Sequence, residues 1–99
     1  MPTDHPSASE LSRESNKRKD QRKKIYAHIL DAVYIKIKSK ADMGWSRIVH
    51  TIPSFVVGLP PYDTQECTNY VARRLRKKGY KVEMFDNAVL YISWDQNEL

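Results

Sequence analysis

The sequence predicts a two-layer α+β fold, ordered helix-strand-helix-strand-strand, with a small, mostly antiparallel three-stranded sheet and an extended N-terminal arm. Three observations lead there. Apolar residues recur at three- and four-residue steps through Tyr26, Ile29, Leu30, Val33 and Ile37, which is a helical period. They recur at two-residue steps through Tyr80, Val82 and Met84, and again through Leu90, Ile92 and Trp94, which is a strand period. The three glycines, Gly44, Gly58 and Gly79, fall between these stretches, where breakers belong. A chain of 99 residues allows one domain. We divide it into an arm at 1–24, a compact domain at 25–95 and a tail at 96–99.

Residues 1–15 are built largely from Pro, Ser, Glu, Asp and Thr, with Leu11 the only large aliphatic side chain. Such a segment buries too little apolar surface to offset its ordering entropy, so it is expected to be disordered in isolation. A basic block follows: Arg13, Lys17, Arg18, Lys19, Arg22, Lys23 and Lys24, against Glu14 and Asp20. It runs into an amphipathic helix assigned to residues 17–40. Val33 to Lys38 also alternates like a strand, but the helical period is set earlier and no breaker intervenes. Gly44 ends the helix.

Trp45 to Phe55 reads as a strand through Ile48, Val49, Thr51 and Ile52, closed by Pro53. Phe55, Val56, Val57, Leu59, Pro60, Pro61 and Tyr62 form an apolar loop, because Gly58 and two prolines forbid a regular element. Asp63 with Glu66 then reads as a capping box. The helix it opens carries Cys67, Tyr70, Val71, Arg74 and Leu75 on one side, and Gly79 is its left-handed C′ residue. Tyr80 to Trp94 is a hairpin. A two-residue turn would put its two apolar sets on opposite faces. A three-residue loop, Asp86-Asn87-Ala88, pairs Met84 with Leu90, Val82 with Ile92 and Tyr80 with Trp94 on one face, and is therefore expected. Asp95 to Leu99 is expected to fray.

Bulk properties narrow the function classes. Lys and Arg number 17 against 12 Asp and Glu, a net charge of +5 that favours acidic partners without choosing among them. No stretch approaches the roughly 18–20 apolar residues of a membrane span. The first residues lack a signal-peptide pattern, and Pro2 stands where myristoylation needs glycine, so a soluble, cytosolically made protein is expected. Cys67 is the single cysteine, so no internal disulfide forms, as in a reducing compartment. His5, His28, His50 and Cys67 are scattered without metal-ligand spacing. No metal or other cofactor is expected.

Two cationic clusters stand out. The block Arg13–Lys24 can bind phosphates by counterion release, or bind an acidic protein face, or simply be solvated. At the end of the second helix, Arg73, Arg74, Arg76, Lys77 and Lys78 complement the helix dipole; Arg73, Arg76, Lys77 and Lys78 are alternative nucleic-acid contacts. A winged-helix reader is disfavoured, because the N-terminal turn of that helix carries Asp63 and Glu66. Cys67 with His50 could in principle form a nucleophile–base pair, but nothing in the sequence orients them and Cys67 falls on an apolar stripe. Asp63, Glu66 and Asp86 are explained by a cap and a turn. The chain is not expected to be an enzyme. The loop Phe55–Tyr62 is either an exposed docking loop or a cover on the core. Tyr34, Tyr62, Tyr91, Trp45 and Trp94 suit interfaces or core equally.

The stretch Ile52-Pro53-Ser54-Phe55-Val56-Val57-Gly58-Leu59-Pro60-Pro61-Tyr62-Asp63 is followed by a helix with Tyr70 and Leu75, the exit Gly79-Tyr80-Lys81-Val82, and Leu90-Tyr91-Ile92-Ser93-Trp94. In that order these pieces resemble a family of short proteins encoded by nucleocytoplasmic large DNA viruses. The resemblance covers residues 25–94 and leaves the arm outside. A proline is common in the final hairpin turn of that family, where this chain has Asn87-Ala88. The resemblance implies a virion protein, present in the host cytoplasm before assembly. The expectation is a structural minor capsid protein whose arm and apolar loop bind other capsid proteins. The alternative is a viral nucleic-acid-binding accessory protein.

Overall fold

Two polar caps and two glycines delimit the helices. The computed structural model describes residues 5–99. Helix α1 runs Ala8–Asp42, strand β1 Arg47–Thr51, helix α2 Thr64–Lys77, strand β2 Lys81–Phe85 and strand β3 Val89–Ser93. The order and class are those expected. The arm differs at residues 8–16, which are helix rather than disordered or extended chain, so that α1 starts nine residues before the expected residue 17. Its start is a full capping box, in which the Ser7 side chain accepts from the Glu10 amide at 3.2 Å and the Glu10 carboxylate accepts from the Ser7 amide at 3.4 Å. Good helix formers fill the segment, and Glu10 lies in the first turn, where the helix dipole favours a carboxylate.

Both helices stop in the same way. Gly44, at φ 91°, lets the Trp45 amide reach the Lys40 carbonyl at 2.9 Å. Gly79, at φ 96°, lets the Tyr80 amide reach the Leu75 carbonyl at 3.2 Å. These are Schellman ends that need a left-handed residue at C′. At the start of α2 the Asp63 side chain accepts from the Glu66 amide at 2.9 Å, as expected. The reciprocal half of that box is not formed; the Glu66 carboxylate faces Arg22 on α1 at 3.5 Å.

The sheet is antiparallel in the order β1-β3-β2. Val82 pairs with Ile92 and Met84 with Leu90, the register that the three-residue loop requires. Asp86 opens the turn at φ 53°, a left-handed conformation that aspartate tolerates. Ile48 faces Ile92 from the other side. Both helices pack on this face. The α1 stripe of Ile25, Tyr26, Ile29, Leu30, Val33 and Ile37 meets Val71, Ala72 and Leu75 of α2 and Ile48, Val82, Leu90 and Ile92 of the sheet. Val33, Leu75, Leu90 and Ile92 are wholly buried, each worth about 1.5–3 kcal/mol of transfer free energy.

The other sheet face carries Val49, Tyr91 and Glu83 in one row and Thr51, Val89 and Phe85 in the next. The tail, expected to fray, is docked here. Asp95 to Glu98 form a turn, and the Glu98 carboxylate accepts from the Tyr91 hydroxyl at 2.8 Å and from the Ser93 hydroxyl. These two bonds hold Glu98 below the usual carboxylate range, the Ser93 bond contributing most.

Candidate cationic groove

The packing of α1 on α2 joins the two basic clusters that the sequence sets fifty residues apart. Buried residues of α1 begin only at Ile25, so the turns just before it carry cations past the side of α2. On α2, Val71, Ala72 and Leu75 point into the core, which turns Arg73, Arg74 and Lys77 outward, where they are exposed. The result is a cleft of about 450 Å³ lined by Lys23, Lys24, Ala27, Tyr70, Arg73, Arg74 and Lys77, with no carboxylate in its walls. A second cleft continues it, sharing Lys23, Tyr70 and Arg73 and adding Lys19, Arg22, Tyr26 and Glu66. Glu66 is the one carboxylate lining either cleft, and it already faces Arg22. The remaining cations therefore have their field largely uncompensated, which raises local anion concentration.

The aromatic floor is spent on the fold. The Tyr70 ring has the Arg74 guanidinium over it at 5.3 Å and Tyr26 tilted against it at 5.6 Å. Arg74 also donates to the Tyr70 hydroxyl at 3.3 Å. Tyr62 stands edge-on to Tyr26 at 6.2 Å and donates its hydroxyl to the Pro53 carbonyl. The Tyr26 hydroxyl is buried with no hydrogen-bond partner, although the Asp63 backbone comes near it. Burial accordingly raises its pKa.

The structure sorts the remaining site candidates. Lys19, Arg22, Lys23 and Lys24 line the clefts, whereas Arg13 and Lys17 are exposed outside them and Arg18 faces a separate cleft against Pro60 and Pro61. Of the α2 candidates, Arg73 and Lys77 are in the groove. Arg76 is not, because its guanidinium donates to the Val82 carbonyl at 2.7 Å and caps the edge of β2. Lys78 faces a different hollow with Tyr34, Tyr80 and Trp94. Arg74, passed over as a nucleic-acid contact, belongs to the groove; its place beside Tyr70, four residues earlier on the same helix face, was the available signal. The apolar loop divides. Phe55 and Val57 are 71% and 90% exposed, while Val56, Leu59 and Tyr62 pack against the core, so it is both docking candidate and cover. Pro60 and Pro61 are exposed beside α1.

Cys67 is wholly buried, and burial pushes its thiol up to about 12, so at neutral pH it is not a thiolate. His50 lies beside Lys36, with Nδ1 and Nζ 3.5 Å apart, and its pKa is lowered first by burial and then by that lysine. Among the described residues there is no cluster of three or more His, Cys, Asp or Glu side chains poised for a metal. No described helix is long and apolar enough to cross a membrane.

Fold and groove together define a small α+β protein that presents an uncompensated cationic surface between two helices. The chain belongs to a family of unknown function (DUF5759), whose model matches residues 6–76. The match takes in the arm and both groove helices nearly to the end of α2, and stops before the hairpin. No curated protein and no solved structure matches the chain.

Proposed function

We propose that this chain is a non-catalytic nucleic-acid-binding accessory protein whose contact surface is the α1–α2 groove. The observation that supports this most is the convergence of Lys23, Lys24, Arg73, Arg74 and Lys77 on one carboxylate-free cleft. The core lies on the opposite faces of both helices, so burial does not require those charges, although Arg74 and Lys77 also complement the end of the α2 dipole. Phosphates would bind by releasing counterions, a driving force that weakens steeply with salt. The viral resemblance supplies the setting: a protein of the host cytoplasm that enters the virion with, or on, its nucleic acid.

Phe55 and Val57 support a second reading. Two large apolar side chains held out in solvent on an ordered loop suit a protein contact, as in a structural minor capsid protein that binds other capsid proteins. One experiment separates the two. The purified chain and an Arg73→Gln/Lys77→Gln variant are titrated with mixed nucleic acid, and both are cosedimented with the major capsid protein. The leading reading expects nucleic-acid binding that falls with salt and is lost in the variant. Absent nucleic-acid binding, together with salt-resistant cosedimentation abolished by Phe55→Ser/Val57→Ser, would replace it with the capsid reading.

A further inference from the structure

We infer that the groove takes the phosphate backbone of a double-stranded nucleic acid, without regard to sequence; this rests on the nucleic-acid reading above and says which nucleic acid it is. The first ground is what the groove withholds from bases. Sequence-tolerant single-strand sites combine a cationic track with aromatic faces on which bases stack. Here the rings that could serve are already used: Arg74 lies over Tyr70, and Tyr26 is packed among its neighbours and only 3% exposed. An unpaired base finds no platform, whereas a duplex arrives with its bases already stacked and its phosphates in a dense, regular array.

The second ground is how α2 is presented. Helices that read base edges in the major groove lead with their N-terminal residues. The first turn of α2 bears Asp63 and Glu66, which repel phosphate, and the cations lie on its last two turns. That end can lie along a backbone but cannot lead into a groove, so the contact positions the protein without reading sequence. The third ground is the arm. Because α1 is one helix of 35 residues, about 52 Å long, it holds its cations on a rod instead of a coil. A stiff rod loses little entropy on meeting a stiff duplex and gains little from a flexible strand.

The test uses the full chain in fluorescence anisotropy with two unrelated duplexes of about 20 base pairs, their separated strands, and phosphatidylserine vesicles, over about 50 to 200 mM salt. The expected result is duplex binding at least about 10-fold tighter than single-strand binding and equal for both sequences within about 2-fold. If all five groove cations meet phosphate, the slope of log affinity against log salt should be about −4.5, falling by nearly 2 in Arg73→Gln/Lys77→Gln. Both residues are exposed, and circular dichroism checks that the variant folds. Equal or tighter single-strand binding overturns the inference and leaves the nucleic-acid reading standing. Strong preference for one duplex sequence also overturns it. Binding to neither form, or to vesicles alone, overturns the nucleic-acid reading itself.

Discussion

Helix α1 has two halves that stand for different reasons. Ala8 to Lys24 contains no buried residue, whereas Ile25 to Asp42 contains six. The second half is helical because a 3.6-residue apolar stripe meets the sheet and α2, and that burial would hold almost any sequence of the same pattern. The first half rests on its Ser7–Glu10 cap, on residue propensity and on being continuous with a nucleated helix, which spares it the cost of starting. The Arg22–Glu66 pair adds little, since both side chains are close to half exposed. The difference teaches where function is free to act. A half whose charges do no folding work can carry them to a partner.

The sharpest way to break this contrast is to remove one aliphatic side chain from each half. Ile29→Ala should cost about 2–4 kcal/mol in urea unfolding, because the 3% exposed side chain leaves a cavity among packed neighbours. Leu11→Ala should change stability by less than about 0.5 kcal/mol, since Leu11 is 51% exposed. Comparable losses would mean that the arm half is held by tertiary packing after all. A smaller effect sharpens the contrast. Ser7→Ala removes the cap and should cost about 1 kcal/mol locally. Amide hydrogen exchange should quicken over residues 8–14 while the urea midpoint stays put. A shifted midpoint would tie the cap to the global fold.

The same contrast explains what could be read from the residues beforehand. The buried stripe of α1, the hairpin register and both glycine ends were legible, because each follows from a side-chain period or a required left-handed φ. The helix before residue 17 was not. Its low apolar content pointed to disorder, and the Ser7–Glu10 cap that starts it went unread. The basic clusters were legible as clusters, but not as one groove. Which α2 cations would join Lys23 and Lys24 depends on how α2 is rolled against α1, and that is set by Val71, Ala72 and Leu75 finding the core. That Arg76 stands apart from the groove was hidden for a related reason: its partner is a backbone carbonyl on β2, invisible to any pattern of side chains.

The tail offers the smallest effect, at the opposite end of the chain from the arm. It too is polar and was expected to fray, yet it is held by side-chain bonds instead of by helix propensity. Glu98 accepts from Ser93 and Tyr91 as a carboxylate, which holds its folded-state pKa below the unfolded value. A depressed carboxylate contributes stability that is fully present above its unfolded pKa and is lost as pH falls through the folded one. Acidification below the ordinary glutamate range should therefore release the tail before it touches the core. The Tyr91 ring resonances should shift in that window, while far-ultraviolet circular dichroism and the α1 amides stay unchanged. Glu98→Ala should give the released Tyr91 spectrum already at neutral pH, with no further change on acidification. A Tyr91 signal indifferent to both would mean that the tail does not dock through Glu98. The tail would then keep only its Asp95–Glu98 backbone turn, while the arm keeps its own cap.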